Sequence, residues 1–450
     1  MTGTWAKIKW TVGAYVEASR AIRRQFDPGR IHRLQNKRLE RLVRYCAGSI
    51  KYYQELFRQA GIDPEQIRTA EDLRRVPFLT KDALRSRFWD FLPRSLPACR
   101  VSRTSGSTGV PVCILADWNS RMHNSAAVIR FRHAVGVPLV GRSFITLLNT
   151  GQDPARPAQW TFLQGIHRQH FLNPYLHSPE NAAYVERLTA RVKRPILTGI
   201  TSSVRTLAQG IRDGVFAPLR PAIVMTGGEM LLPQVRELIE ATFGVRVIDV
   251  YACNEARDIA WQCPEAAGYH INADNLIVEI VKDGKPAAPG EIGEVTLTDL
   301  NRYVMPIIRY KNGDLARMSG ESCPCGCKLP MLAEIIGRTG ENIILPDGRR
   351  VLWNQLKGLM NHPDIRQFRL VQERDGKLTV NYVCEQGADV ERLDDLLLGR
   401  FRSLVGSSIE VGLEKVSFLA PAPSGKSKLV VSHYDPAGPS SALSENSSHS

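Results

Sequence analysis

Residues 104–111 read Thr-Ser-Gly-Ser-Thr-Gly-Val-Pro. Hydroxyl side chains alternate there with glycines, so backbone N–H groups and O–H donors can converge on an anion with no Cβ atom in the way. The chemistry this suits is the cradling of a phosphate. It is not the Walker arrangement, which carries a lysine inside the loop; Gly109 is followed by Val110 and Pro111, and the positive charge must come from elsewhere. Taken alone, a Ser/Thr/Gly cluster is more often a solvated turn. A second set of residues is independent of phosphate. Cys263-Pro-Glu-Ala-Ala-Gly-Tyr-His270 and Cys323-Pro-Cys325-Gly-Cys327 offer three thiolates and one imidazole, with Cys327 as a substitute, and such a set suits tetrahedral structural zinc. The spacing is not that of a zinc finger, and the plain alternative is reduced cysteines with His270 in a strand.

The elements that must position these groups follow from composition and periodicity. At 450 residues and 43% hydrophobic content, the chain can bury a large core and should form two or three domains. No apolar run approaches the roughly 18 residues of a membrane-spanning helix. The N-terminus, with Trp5, Lys7, Lys9 and Trp10, lacks the apolar core of a signal peptide. A cytoplasmic location is expected. Nine cysteines, unevenly spread, read as thiols or metal ligands rather than a disulfide framework. Of the net charge of +14, residues 1–103 supply +12, with 22 Lys/Arg against 10 Asp/Glu. A solvated helical surface is the favoured reading of that excess. Aromatic residues are not interleaved as stacking platforms, which argues against nucleic acid. At most a peripheral membrane contact through residues 5–24 is expected, where tryptophans and basic residues mix; an acidic partner protein and a homodimer stay open.

Residues 30–60 carry helical periodicity, stopped by Gly61, and Thr69 and Thr80 are N-cap candidates for the helices that follow. Residues 112–115 read as a strand and 119–134 as a helix. Short apolar runs at 143–148, 195–197, 222–225 and 245–251 are separated by helical stretches at 181–193, 202–213 and 233–243. Strands spaced by helices predict a parallel sheet flanked by helices, with ligands beyond the carboxyl ends of its strands, where 226–229 and 251–255 fall. Residues 275–318 predict a smaller antiparallel β subdomain, and 366–419 a small α+β unit. The fold class expected is therefore α/β. Residues 1–100 form a mostly helical basic part of the large domain, 101–340 its core, 341–435 a small mobile C-terminal domain, and 436–450 a disordered tail.

The order of landmarks carries more than any one of them. Thr104–Pro111 is followed by Gly227-Gly228-Glu229, Tyr251-Ala-Cys-Asn254-Glu255, Tyr310-Lys-Asn-Gly313-Asp314, Gly337-Arg338-Thr339 and Pro423-Ser-Gly425-Lys426-Ser-Lys428. Over roughly residues 30–432 this resembles the adenylate-forming superfamily of acyl-coenzyme A ligases and adenylation domains, and within it the phenylacetate-CoA ligase branch, more closely the CapK-like members associated with polysaccharide biosynthesis. The resemblance implies ATP and Mg²⁺ as cofactors. Thr104, Ser105, Gly106, Ser107, Thr108 and Gly109 would hold the β- and γ-phosphates, Tyr251 would stack on adenine, and Gly228 and Glu229 would border it. Glu255, preceded by Asn254, would bind Mg²⁺; Asp314 would take the ribose hydroxyls, and Arg338 would contact the nucleotide. Lys426 would reach the carboxylate and α-phosphate during the chemical step, with Glu255 and Thr108 as further catalytic residues. Cys263, His270, Cys323 and Cys325 look like the zinc clip of related ligases.

Two departures from the family pattern stand out. Asn254 occupies a position often held by threonine or serine, and Glu341 stands at the hinge where aspartate is usual. The function implied is adenylation of a carboxylic acid with pyrophosphate release, then acyl transfer to a thiol, by default coenzyme A. Transfer to a sugar hydroxyl or amine is the first alternative, and a non-catalytic nucleotide-binding partner of a polysaccharide assembly complex the second. Asn149, His167, His170 and Asn173 are the candidates for the acid's pocket.

Overall fold

The computed structural model describes residues 4–103, 112–148, 158–162, 164–265, 267–340, 342–356, 358–406, 409–420 and 428–434. The chain divides into two compact units, one formed up to Leu231 with Leu238–Ile335, the other by Leu232–Glu237 with the chain from Ile336 onward. The first unit opens with helices α1 (Thr4–Arg24), α2 (Pro28–Ser49), α3 (Lys51–Gln59), α4 (Ala70–Leu73) and α5 (Lys81–Ser86). Asp27 caps α2 by accepting from Arg30 N, and Pro28 fits the first turn, where its missing N–H costs nothing. The periodicity over 30–60 suggests one helix, but two form. Ile50, extended at φ −119° and ψ 112° and fully buried, ends one and starts the next.

Helix α1 packs its small face, Ala14 and Ala18, on Ala126 and Ile129 of α6 (Trp118–Ala134). Beside that contact lies a buried charge cluster. Glu17 accepts from Arg24 at 2.7 Å and Arg38 at 3.0 Å, while Asp274 accepts from Arg130 at 2.9 Å and lies 3.4 Å from Arg24. The second terminal nitrogen of Arg130 donates to Asn272. Three helices are thereby tied to the turn at residues 272–275, and the face of α1 bearing Ala14, Glu17 and Ala18 is buried within the protein.

A 13-stranded sheet forms the body of this unit. Its parallel half holds β3 (Val140–Leu147), β5 (Ile166–Leu172), β6 (Ile196–Ile200), β7 (Ile223–Gly227) and β8 (Val247–Cys253), with β4 (Gln159–Thr161) antiparallel at the edge. Helices α7 (Pro179–Arg191), α8 (Thr201–Arg212) and α9 (Pro233–Phe243) make the crossovers. The expected parallel sheet is present. The antiparallel part is not a separate sheet: β9 (Arg257–Gln262) pairs antiparallel with β8, and the ladder continues through β10 (Tyr269–Ile271), β15 (Met331–Arg338), β14 (Tyr310–Met318), β13 (Gly293–Asp299) and β11 (Leu276–Lys282) to β12 (Lys285–Pro286). Strand β5, Ile-His-Arg-Gln-His-Phe-Leu, escapes the sequence reading because polar residues interrupt it. A separate ribbon of β1 (Cys99–Arg103) and β2 (Cys113–Asp117) brackets residues 104–111.

The second unit has a four-stranded sheet in the order β20 (Val411–Lys415), β19 (Leu378–Cys384), β18 (Ile365–Gln372), β21 (Val430–Ser432). β18 and β19 are antiparallel and the outer strands run parallel to their neighbours. The hairpin β16 (Asn342–Ile344) and β17 (Arg350–Leu352) joins this sheet through Gln372, whose amide donates to Ile344 O and whose oxygen accepts from Ile344 N. Helix α10 (Trp353–Leu356) brings Trp353 against Phe368, and α11 (Val390–Val405) supplies Leu393, Leu397 and Phe401 to the core.

Burial alone would raise the carboxyl of Asp274; Arg130, Arg24 and Arg38 together outweigh it and hold it below its ordinary value. Stability from this group is present above the unfolded carboxyl's value near ~3.9 and is lost as pH falls through the lower folded value. Urea unfolding should show Arg130→Ala losing about 3–5 kcal/mol, because Asp274 keeps its burial and loses its nearest cation. Asp274→Asn should flatten the decline in stability below about pH 4.

Candidate active site

The carboxyl ends of β7 and β8 carry the residues singled out at 226–229 and 251–255. A Cβ on Gly227 would lie 2.5 Å from Val250 O, and Gly228 has φ +79°, a region costly for side-chain-bearing residues. Glycine is thus required twice where the chain leaves β7. Glu229 directs one carboxylate oxygen to Ser202 N at 2.7 Å, in the first turn of α8, where an anion meets unsatisfied N–H groups.

Tyr251 and Asp314 are brought into direct contact. The Tyr251 hydroxyl donates to Asp314 Oδ2 at 2.6 Å, and the Asn312 amide donates to the same oxygen and to the Tyr251 hydroxyl, each at 2.8 Å. Burial, reinforced by the Asp314 charge, pushes the Tyr251 phenol well above its ordinary value, so it stays a donor. Four residues beyond Tyr251, Glu255 is buried and accepts from the Tyr310 hydroxyl at 3.0 Å. Asn254 is exposed on the same turn. Tyr310 and Asn312 were not singled out from sequence, although both sit within the run Tyr310-Lys-Asn-Gly-Asp314; the signal was present in the motif itself.

Other assigned residues are placed differently or not at all. Thr104, Ser105, Gly106, Ser107, Thr108 and Gly109 lie outside the described residues, as do Asn149, Glu341 and Lys426. Arg338 is exposed at the end of β15. His167 is buried, its ring 4.7 Å from that of Phe144. Asn173 is buried too, accepting from Tyr175 N and, through its carbonyl, from Asn181. His170 is half-buried on β5.

The cysteine set converges. One ligand atom each from Cys263, His270, Cys323 and Cys325 lies within 4.8 Å of the others. Cys263 Sγ is 3.4 Å from Cys323 Sγ, and Cys325 Sγ is 3.4 Å from His270 Nε2. Zn–S bonds of ~2.3 Å and Zn–N bonds of ~2.0 Å at tetrahedral angles would put such donors about 3.5–3.8 Å apart. The donor set fits that ion. Burial lowers the imidazole of His270 to about 4, the neutral form a metal requires.

The strand order and the two-unit division define the fold of the adenylate-forming acyl-CoA ligases. Among solved structures, 2-hydroxyisobutyryl-CoA ligase in the postadenylation state, in complex with R3-HIB-AMP, superposes with a TM-score of 0.71 at 19% identity, covering 88% of each chain. The same ligase has been solved with 2-HIB-AMP and CoA in the thioesterification state, matching at a TM-score of 0.60 and 19% identity over 92% of each chain. In sequence, the phenylacetate-coenzyme A ligase of Thermus thermophilus is 28% identical over 363 residues, 78% of this chain and 80% of the relative. Protein CapK of Staphylococcus aureus is 20% identical over 439 residues, 92% and 91% of the two chains. No family model matches the chain. By these likenesses the chain has the fold of the adenylate-forming ligases and resembles in sequence the phenylacetate-coenzyme A ligases and, more distantly, CapK.

The Tyr310 contact makes a testable statement about Glu255. Tyr310→Phe removes a hydroxyl donor to a buried carboxylate and should cost about 1–3 kcal/mol in urea unfolding. A change below a few tenths of a kcal/mol would mean that Glu255 is satisfied without it.

Proposed function

We propose that this chain activates a carboxylic acid with ATP and passes the acyl group to a thiol, by default that of coenzyme A. The observation that carries the reading is the likeness to phenylacetate-coenzyme A ligases over four-fifths of their length. The pairing of Tyr251 with Asp314 and of Glu255 with Tyr310 near the carboxyl end of β8 supports it. In this reading a carboxylate oxygen attacks the α-phosphorus of ATP, the bond to the β-phosphate oxygen breaks, and pyrophosphate leaves. The thiol sulfur then attacks the acyl carbon and AMP departs.

Positioning and fixed charge do the work in such a displacement. Residues 104–109 hold the terminal phosphates, Asp314 accepts from the ribose hydroxyls, and Tyr251 forms the wall against which adenine stacks, with Gly228 and Glu229 beside it. Lys426 neutralises the carboxylate and α-phosphate oxygens as they approach, and Arg338 adds a contact to the nucleotide. Glu255 is the residue that would hold Mg²⁺, which when bound neutralises phosphate charge. Cys263, His270, Cys323 and Cys325 would hold one structural zinc that joins the turn before β10 to the loop before β15. The likeness to CapK over 91% of that protein favours a second reading, in which the same adenylate is passed to a hydroxyl or amine.

Two measurements test this. Carboxylate-dependent ATP–pyrophosphate exchange over aryl, fatty, hydroxy and sugar acids should appear with one class and fall at least about 100-fold in Lys426→Ala and Glu255→Ala. No exchange with any acid, by protein shown to bind ATP, would refute adenylation; exchange without coenzyme A-dependent turnover would favour the second reading. Metal analysis should find one zinc per chain, lost in the Cys323→Ser, Cys325→Ser double variant. A zinc-free, folded wild type would overturn the clip.

A further inference from the structure

A cavity of about 200 Å³ in the first unit is lined by charge of one dominant sign. Four arginines, Arg100, Arg121, Arg257 and Arg302, face it against two aspartates, Asp258 and Asp299, an excess of two positive charges. Arg302 and Asp299 are an ion pair at 3.1 Å and satisfy one another. The remaining three arginines are not matched in this way. Among the described residues, none of their guanidinium groups forms an ion pair or a hydrogen bond. Asp258 accepts from Asn124 at 3.1 Å; burial raises its carboxyl while the charges of Arg132 and Arg257 act to lower it.

Two of the three arginines are held, while Arg100 is exposed. The Arg121 guanidinium lies over two indoles, 4.6 Å from the ring centre of Trp118 and 5.4 Å from that of Trp10. Stacking of this kind fixes the guanidinium plane and leaves its N–H edge free to donate. Arg257 has φ +63°, a backbone conformation that costs a non-glycine residue about 1 kcal/mol or more and that persists where the surroundings impose it. Arg100 stands opposite Ala116 in the β1–β2 ladder, and both line the cavity. Burial, then Arg100 and Arg257, lower Arg121 from its ordinary value. Like charges have been gathered at a cost that a bound anion would relieve.

The position of the cavity in the chain is also informative. Arg257 follows Glu255 by two residues, and the β1–β2 ribbon that carries Arg100 and Ala116 is the one that brackets residues 104–111. We propose that the cavity bounded by Arg100, Arg121 and Arg257, whose lining includes none of Gly228, Glu229, Tyr251, Glu255, Asp314 and Arg338, is an anion site for a phosphate-type group. Its volume exceeds that of a single water several-fold and suits inorganic phosphate or pyrophosphate. Guanidinium edges match phosphate oxygens in bidentate fashion. This inference rests on the adenylation reading only for the source of the anion, which is either the released pyrophosphate or a phosphate on the acyl acceptor.

Isothermal titration of the full chain with pyrophosphate, with the nucleotide site saturated by α,β-methylene-ATP, separates this site from the nucleotide phosphates. The wild type should take up one pyrophosphate, and Arg121→Gln and Arg257→Gln should each weaken it about tenfold or more, as expected for loss of one charge-assisted contact, with analogue affinity unchanged. No uptake of pyrophosphate or phosphate by the wild type, or uptake unaltered in both variants, would overturn the proposal. Displacement of pyrophosphate by coenzyme A but not by 3′-dephospho-coenzyme A would assign the anion to the acceptor; no displacement by either would assign it to the leaving group. Because uptake is read without turnover, a failure of exchange with every acid leaves this result independent.

Discussion

Charge taken out of water must be paired, and much of the first unit is arranged by that constraint. Asp274, in the turn before β11, gathers Arg130 from α6 and Arg24 from α1, and Arg38 of α2 donates to its backbone carbonyl at 2.5 Å. Glu17 on α1 closes the group by accepting from Arg24 and Arg38. Arg309 is treated in the same manner: it pairs with Glu279 at 3.0 Å and donates to the carbonyls of Arg74 and Val76, anchoring the segment before α5 on the antiparallel half of the sheet. Removing one member of such a group leaves the others buried and unmatched, which is why these pairs fix the docking of the helices whatever their net contribution to stability. The basic excess of the first hundred residues is partly accounted for here, since two of its arginines, Arg24 and Arg38, serve as internal partners.

The candidate active site depends on the same rule applied to neutral donors. Strands β8 and β14 are separated in the sheet by β9, β10 and β15, yet side chains of β14 reach Tyr251 in β8 and Glu255 in the turn that follows it. Tyr251 and Asn312 converge on one oxygen of Asp314, and Tyr310 reaches Glu255. Hydroxyl and amide donors thus orient Asp314, and a phenol hydroxyl orients Glu255.

Much of this was legible in the sequence, and the parts that were not have physical reasons. The alternation of apolar runs with helical stretches from 141 to 251 disclosed the parallel half, because buried parallel strands must be continuously apolar. Strand β5 was hidden because His167, Arg168, Gln169 and His170 are polar, and its partners rather than its own composition make it a strand. The merging of the two halves into one sheet was equally invisible: it rests on the β8–β9 ladder, with a register shift at Tyr251 and Ala252, and strand neighbours are not encoded in local periodicity. The site acids and Tyr251 could be named from motifs; that Tyr310 and Asn312, in the same motif, donate to them could not, since a tyrosine within a strand reads as core. Ile50 shows the same limit at a helix break, where tertiary burial overrides a periodicity that runs through it.

The treatment of arginine separates structure from function in this molecule. Arg130, Arg302 and Arg309 are buried and matched, each to a carboxylate within about hydrogen-bonding distance. Among the described residues, Arg100, Arg121 and Arg257 have no such match; the guanidinium of one lies over two indoles and another sits on a left-handed backbone. Arg257 of this group lies two residues from Glu255. Two half-buried arginines and an exposed one around a single cavity repel one another, and an arriving anion is the partner that would relieve that repulsion.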